Sequence, residues 1–419
     1  MIKARVKTIM GSVNNYTYII AGGGASGLSL ALRLVDEFGP ETRILIVDQS
    51  LKLENDRTWC FWHAGTPPFS KLISSSWKTF CVASPERGEW ELPLGEWSYH
   101  MIRGIDFYQH AHEVLKSCDG VDFLIGRVDE VTETSGRGMI RVGEERYSAR
   151  FVFDSCYLAS EDRRERANGD FLWQDFHGWV VETPKDSFEP GKASLMDFRT
   201  PQDGETRFFY VLPISKTRAL VEHTIFGKTR RTKEQHQVAI KNYLQSIRNI
   251  ESYEILEEET GCIPMTNQLP EKRDYRRIIR LGALGGAVKP TTGFAFLRIQ
   301  RQVDAIISAL REGNDPQELS RMTMPRFRFY DSLLLHILAN DGSKGMGIFN
   351  ALFSRNPVGR VLKFLDESTD LLEEAPIFST LPVSTFLKAV YSTTLQRLGI
   401  RHRQHAKDAP VFIPKNIPV

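Results

Sequence analysis

The sequence predicts an α/β fold: a parallel βαβ core, interrupted by a mainly antiparallel β region and followed by a helical C-terminal region. Three observations carry this expectation. A short β-rich run, Thr17 to Ala21, ends in a glycine cluster and opens at once into a segment with helical periodicity. The next apolar run, Arg43 to Asp48, is continuous rather than alternating, as a strand covered on both faces requires. Comparable buried-strand runs then return only near Phe151 and again near Ile278, so the parallel core is discontinuous.

Taken in order, Ala25 to Phe38 is a helix with Leu28, Leu32 and Val35 on one face, completing a βαβ unit with the two flanking strands. Thr58 to Met101 is rich in Trp, Pro and Gly and reads as irregular strands. Phe107 to Leu115 is a helix, Val121 to Val131 with Gly138 to Gly143 a hairpin, and Phe151 to Cys156 a buried strand. Residues 160–169 form a charged loop. HGWVVET, ASLMDFR, TRFFYVLPI and RALVEHTIF then read as antiparallel strands, followed by a helix from Gln235 to Ser246. The strand Ile278 to Leu284 leads through GGAVKPTTGF into a helix, Phe296 to Arg311, and after Pro325 come helices dense in Phe and Leu. The expected division is 15–60, 100–160 and 275–315 for the parallel domain and 61–99 and 170–270 for the antiparallel one. Residues 320–400 make a helical cap, and 401–419 a frayed tail.

Composition removes several function classes. In 419 residues, 54 Lys+Arg stand against 52 Asp+Glu, a formal charge of +2, without the basic excess of nucleic-acid binders. With 41% hydrophobic and 25% charged residues the chain is globular. The five cysteines are widely spaced with no CxxC pair, and the ten histidines show no ligand pattern, so free thiols and no metal are expected. Neither a secretory signal nor an apolar run long enough to span a bilayer is visible, which points to the cytoplasm. Aromatics, at 11%, are the one unusual entry.

The glycine cluster carries chemistry. Gly22-x-Gly24-x-x-Gly27 stands where a strand turns into a helix, with Ala25 at the helix start and Asp48 ending the next strand, about 20 residues on. This is the Rossmann arrangement: the backbone approaches a pyrophosphate, the helix N-terminus faces the phosphates, and the carboxylate accepts ribose hydroxyls. Interruption by a second domain favours FAD over NAD. GGAVKPTTGF would bring a second helix N-terminus toward the cofactor, where it can steady negative charge.

Several segments together resemble the lycopene cyclases of carotenoid biosynthesis. They include GGGASGLSLALRL, DRTWCFW (Asp56 to Trp62), GWVVE (Gly178 to Glu182), MDFR (Met196 to Arg199), LVEHT (Leu220 to Thr224), IPMT (Ile263 to Thr266) and KPTTGF (Lys289 to Phe294). FYDSLLLHIL, the Asp366 to Thr369 run and Leu381 to Ala389 extend the match to nearly the whole chain. The resemblance implies a β-cyclase flavoprotein that uses reduced FAD, with NAD(P)H as reductant, without net redox change. An acid protonates each ψ-end of lycopene, the cation closes to a ring, and a proton is lost, giving γ-carotene and then β-carotene.

On this resemblance Glu222 is the expected proton donor, since a glutamate among Leu, Val and Ile is held protonated by desolvation. A strand-surface residue paired with an arginine is the plain alternative. His223 departs from the family, standing where relatives carry a second acid. Asp197 and Arg199, two apart and so on one strand face, make either an ion pair or part of a proton relay. Arg57 and Asp154 are expected at the cofactor, with Gly285, Gly286, Thr291, Thr292 and Gly293 as backbone contacts. Many redox flavoenzymes carry Gly-Asp before that helix. Here Gly282 is followed by Ala283, which argues against a geranylgeranyl reductase or FAD monooxygenase. The acidic positions argue against a non-catalytic carotenoid carrier. Since lycopene dissolves only in membranes, peripheral docking is expected through Arg326 to Leu338 and Met346 to Leu365, where Phe and Leu alternate with basic residues. A helical cap packed on the core is the other reading of both. Trp59, Phe61, Trp62, Trp179, Phe294 and Phe296 are expected to line the pocket.

Overall fold

The computed structural model describes residues 15–156, 170–268, 275–316 and 323–397. The predicted charged loop at 160–169 and the tail at 401–419 lie outside the described residues. The parallel core contains β1 (Asn15–Ala21), α1 (Ala25–Phe38), β2 (Ile44–Asp48), α2 (Gly104–Lys116), β8 (Val121–Ile125), β11 (Glu145–Asp154) and β17 (Ile278–Arg280). β1 lies between β2 and β11, all three parallel, with Tyr18 opposite Ile44 on one side and Phe151 on the other. β17 adds to β11 in parallel through Val152 and Ile278. Near-complete burial of Ile19, Ile20, Leu45, Val47, Val152 and Phe153 explains why these strands read as unbroken apolar runs.

Two expectations need correcting here. The hairpin is formed by β9 (Glu130–Thr134) and β10 (Arg137–Val142), whereas Val121–Ile125 joins β2 in parallel as the sheet's other edge. The strand at Ile278 stops after three residues, because the backbone turns at Gly282 to close hydrogen bonds from Gly285 N to Leu281 O and from Ala287 N to Gly282 O. The chain then enters α4 (Phe296–Arg311), which packs beside α1.

The second sheet is built from β5 (Thr79–Ser84), β6 (Gly88–Pro93), β12 (Phe171–Glu182), β13 (Lys192–Asp197), β14 (Thr206–Pro213), β15 (Arg218–Gly227) and β16 (Glu254–Thr266). Their order is β16-β12-β15-β14-β13-β5-β6, antiparallel except where β13 runs parallel to β5. β16 was not anticipated: its first half, EILEEE, reads as a solvated charge run, yet it pairs with β12 along nearly its whole length. One face is covered by α3 (Lys233–Ser246), which a Thr232–Gln235 capping box starts two residues earlier than expected. The other face meets a small sheet of β3 (Thr58–Ala64), β4 (Ser75–Trp77) and β7 (Trp97–Arg103).

The C-terminal region comprises α5 (Pro325–Asn340), α6 (Lys344–Ser354), α7 (Val358–Leu365), α8 (Leu371–Thr380) and α9 (Val383–Arg397). Leu335, Leu338, Phe349, Phe353, Val361 and Leu362 are buried against the β3–β7 layer and the second sheet. The apolar faces of α5 to α7 therefore serve mainly as core. The most exposed large apolar side chains of this region lie at Leu371, Leu372, Val383, Leu387 and Tyr391 of α8 and α9, with Phe329 of α5 and Met324 before it exposed to a lesser degree. No helix among the described residues is long and apolar enough to cross a membrane.

Candidate active site

Strand register decides what meets on the second sheet. Tyr210, Glu222, Gly178 and Glu259 stand side by side across β14, β15, β12 and β16. Aligned residues share a face, and this row faces away from α3. Gly178 leaves a gap in it. A Cβ there would lie 3.3 Å from Glu222 Cβ and 3.3 Å from Glu259 Cγ. The two glutamates thus lean over the glycine until their carboxyls reach hydrogen-bonding range of each other. Thr224 Oγ1 donates to Glu222 Oε1 at 2.8 Å, and Thr58 Oγ1 of β3 donates to Glu259 Oε2 at 2.7 Å. Cys60, Tyr99 and Tyr210 close the surroundings. Both glutamates keep some accessible surface although protein encloses them, the condition of side chains that line an internal hollow.

Electrostatics separates the two acids. Burial pushes the Glu222 carboxyl well above the usual range, and the charge of Glu259 pushes it further against the pull of Thr224. Burial also raises Glu259, but the hydrogen bonds from Thr58 and Glu222 and the charge of Arg57 draw it back. Both carboxyls are thus pushed toward the protonated form, Glu222 further than Glu259, and the proton is shared by the pair. Glu259 escaped sequence reasoning because it sits in an acidic run. The available signal was Gly178, a glycine within a strand, which marks close approach of other groups.

The remaining predicted residues divide by face. Asp197 and Arg199 form the plain ion pair: Arg199 Nε lies 2.9 Å from Asp197 Oδ1, and Tyr243 of α3 donates to Asp197 Oδ2 at 2.7 Å. They lie on the α3 side, remote from Glu222. His223 also points to that side, stacking on Phe209 with ring centroids 4.8 Å apart and meeting His236 at 3.0 Å. It takes no place beside Glu222. Trp179 likewise packs under α3 and does not line the hollow. Glu182 binds Thr217 and Arg218 at the sheet's end. Trp59 and Phe61 instead stack on Phe296, with centroids 5.8 and 4.8 Å apart, and Trp62 meets Phe294 edge-on at 4.6 Å. A cavity opens between Cys60–Trp62, the turn around Phe294–Arg298 and Leu365–Asp366.

At the glycine cluster a Cβ on Gly27 would lie 2.0 Å from Gly22 O, so only glycine lets α1 start this close to β1. Gly24 caps α1 without a side-chain hydrogen bond and faces open space, and Ala25 begins a first turn free of acidic residues. Asp48 accepts from Gly23 N at 2.7 Å, tying the cluster to β2. Ser155, after Asp154, donates to Ala21 O at 2.9 Å, and Leu281 N donates to Asp154 O at 2.8 Å. Gly285 and Gly286 form the turn after β17, and the carbonyl of Gly286 accepts from Arg298. Thr291 is committed to Asp331 at 2.8 Å. Gly293 abuts Gln174 of β12, which shares its sheet face with Gly178. Trp62 Nε1, Gln174 Oε1 and Thr292 Oγ1 are buried there without partners. A buried polar group left unpaired costs about 1–3 kcal/mol, so these three atoms and the uncapped α1 fit a bound dinucleotide with a polar ring system. Among the described residues no group of His, Cys, Asp or Glu is set to hold a metal.

Solved structures alike in fold include flavoenzymes. A flavoprotein/dehydrogenase from Cytophaga hutchinsonii gives a TM-score of 0.57 at 13% identity, covering 91% of this chain and 100% of that one. A flavin-dependent brominase gives 0.56 at 12% identity, covering 91% and 100%. A geranylgeranyl bacteriochlorophyll reductase-like protein from Thermoplasma acidophilum gives 0.54 at 14%, covering 92% and 99%. The fold is that of FAD-dependent oxidoreductases and halogenases. In sequence, the chain is 25% identical over 308 residues to a lycopene beta-cyclase of Pseudescherichia vulneris, covering 71% of this chain and 75% of the relative. It is 26% identical over 296 residues to that of Pantoea ananas, covering 67% and 71%. The family described as lycopene cyclase protein matches residues 18–391. The chain belongs to the lycopene cyclase family.

Proposed function

We propose that this enzyme is a lycopene β-cyclase that closes the ψ-ends of lycopene into β-rings, through γ-carotene to β-carotene, in a redox-neutral isomerisation. The observation that carries this reading is Glu222: an acid held protonated inside an apolar, aromatic enclosure. Protonating an isolated alkene needs an acid that water does not level, and the resulting cation must meet no nucleophile. Trp62 and Phe294, in the same apolar cluster as Leu220 and Tyr210, offer ring surfaces that steady positive charge without trapping it, whereas Phe61 and Phe296 stack on each other in the core of the parallel domain.

FAD would be held by Gly22, Gly24, Ala25 and Gly27 at the pyrophosphate and by Asp48 at the ribose. Arg57, Asp154, Gly285, Gly286, Thr291, Thr292 and Gly293 would lie along the remainder. When bound and reduced, with NAD(P)H as the electron source, the flavin supplies a negative charge beside the reacting end. Lycopene would be drawn from a membrane on which the protein docks peripherally, through the exposed apolar side chains of α8 and α9.

Expression in a lycopene-accumulating host tests the reading. Conversion of red pigment to orange-yellow products of unchanged mass supports it. Unchanged pigment beside folded, flavin-loaded protein overturns it, as does a product heavier by two hydrogens or an oxygen.

A further inference from the structure

On the reading just given, one acid accounts for only half of the proton ledger. Ring closure begins when a proton is added and ends when a different proton leaves, so the site needs an acceptor as well as a donor. The acceptor must lie near the donor, because the ring forms within a few ångströms of the carbon that was protonated. It must also return its proton to the donor before the next ring is made.

Glu259 meets these conditions by position. It stands two strands from Glu222 in the same row, with only Gly178 between them. It is held by Thr58, which donates to Oε2 at 2.7 Å and leaves Oε1 free of that bond. Side chains on adjacent strands stand about 5 Å apart, and the glycine lets two residues separated by twice that distance converge. Gln174, on the same face of β12, carries a buried carbonyl oxygen without a partner, so this face presents polar groups to something not supplied by the protein. None of the other groups proposed from sequence is placed to serve: Asp197 is spent on Arg199 and Tyr243 across the sheet, and His223 faces α3.

We propose that Glu222 and Glu259 act as one proton-sharing pair across Gly178, in which Glu222 delivers the proton that starts ring closure and Glu259 takes the proton that ends it. The balance closes. The Glu222 O–H bond breaks as a C–H bond forms at the terminal alkene. The resulting cation is attacked by the neighbouring alkene, forming the ring C–C bond. A ring C–H bond then gives its electron pair to the new C=C, and its proton goes to the Glu259 carboxylate. Transfer from Glu259 to Glu222 through their mutual hydrogen bond restores the starting state, with no net proton gained or lost. Because the acceptor's position selects which ring carbon is deprotonated, Glu259 also fixes where the ring double bond falls.

The test uses full-length, flavin-loaded protein with lycopene in liposomes, and begins from a wild type that cyclises; a wild type that does not would refute the functional reading instead. Glu259→Gln is expected to slow ring formation at least tenfold with flavin occupancy unchanged, and to shift the residual product toward rings with the double bond elsewhere. Glu259→Asp should restore part of the β-ring yield. β-rings at the wild-type rate, or a slower rate with β-rings as sole product, would overturn the acceptor role. So would failure of the Asp variant to recover product where the Gln variant makes none. Should Glu259→Gln lose its flavin, Gly178→Ala decides. Both carboxyls remain but a methyl stands between them, and a tenfold loss with flavin retained supports the pair, whereas wild-type turnover refutes it.

Discussion

At the scale of single residues, the site depends on which face of a strand a side chain takes. Neighbouring residues Glu222 and His223 lie on opposite sides of the same sheet and belong to different environments. Activity that needs protonated Glu222 should fall as pH rises through the pair's raised apparent pKa. Glu259→Gln, by removing the like charge, should move that alkaline limb of the kcat–pH profile to lower pH. The histidines behave oppositely. Burial lowers His177 to about 4 and His223 well below its usual value. Neutral burial of His177 therefore adds stability that is complete above about pH 6.5 and is lost as pH falls toward 4. Thermal melting should drop over that interval by the equivalent of up to about 3 kcal/mol, and His177→Gln should flatten the drop. The legibility of these residues was uneven. Glu222 was found because it falls on the acid of a family motif, and its Leu, Val and Ile neighbours fit an acid held protonated by desolvation. Glu259 was hidden because three successive glutamates look like solvent-facing charge, and only pairing with β12 turns one of them inward.

At the scale of elements, the turn carrying Lys289 to Phe294 is locked to the C-terminal helices by buried charge. Lys289 Nζ lies 3.0 Å from Asp331 of α5 and 3.0 Å from Glu367, just beyond α7, and Arg298 reaches Glu367 at 2.7 Å. Burial works against the charge of Glu367, yet Lys289 and Arg298 outweigh it and hold its pKa low. Removing one member of such a cluster strands the others. Asp331→Ala should cost about 3 kcal/mol in denaturant unfolding and weaken flavin binding, although Asp331 touches no predicted flavin contact except Thr291. The βαβ unit and α4 were legible because glycine spacing and a helical apolar stripe are local signals. The lock was not, since its partners come from segments that periodicity describes one at a time. The docking segments were hard to place for a related reason: Phe- and Leu-rich helices with basic residues look alike whether their apolar side meets lipid or another layer of protein.

At the scale of the whole molecule, the second sheet is shared between chemistry and architecture. One face carries the carboxyl pair and meets the small β3–β7 sheet, while the other is sealed by α3. Leu371, Leu372, Val383, Leu387 and Tyr391 are left as the main exposed apolar group of the C-terminal region, at 65%, 84%, 52%, 63% and 66% exposure. Leu372→Asp combined with Leu387→Asp should reduce co-sedimentation with liposomes severalfold while leaving the melting temperature unchanged; undiminished sedimentation would place the docking surface elsewhere. The acidic run of β16 has a further consequence. β16 forms an edge of its sheet, thirteen residues long, with Ile255 and Leu256 each 39% exposed. An open edge of that length invites a strand from another copy. Glu254 stands exposed on this edge, Glu257 pairs with Arg103 and Glu258 with Lys233, so the run that conceals Glu259 in the sequence also lines the edge with charged side chains, which an added strand would have to displace.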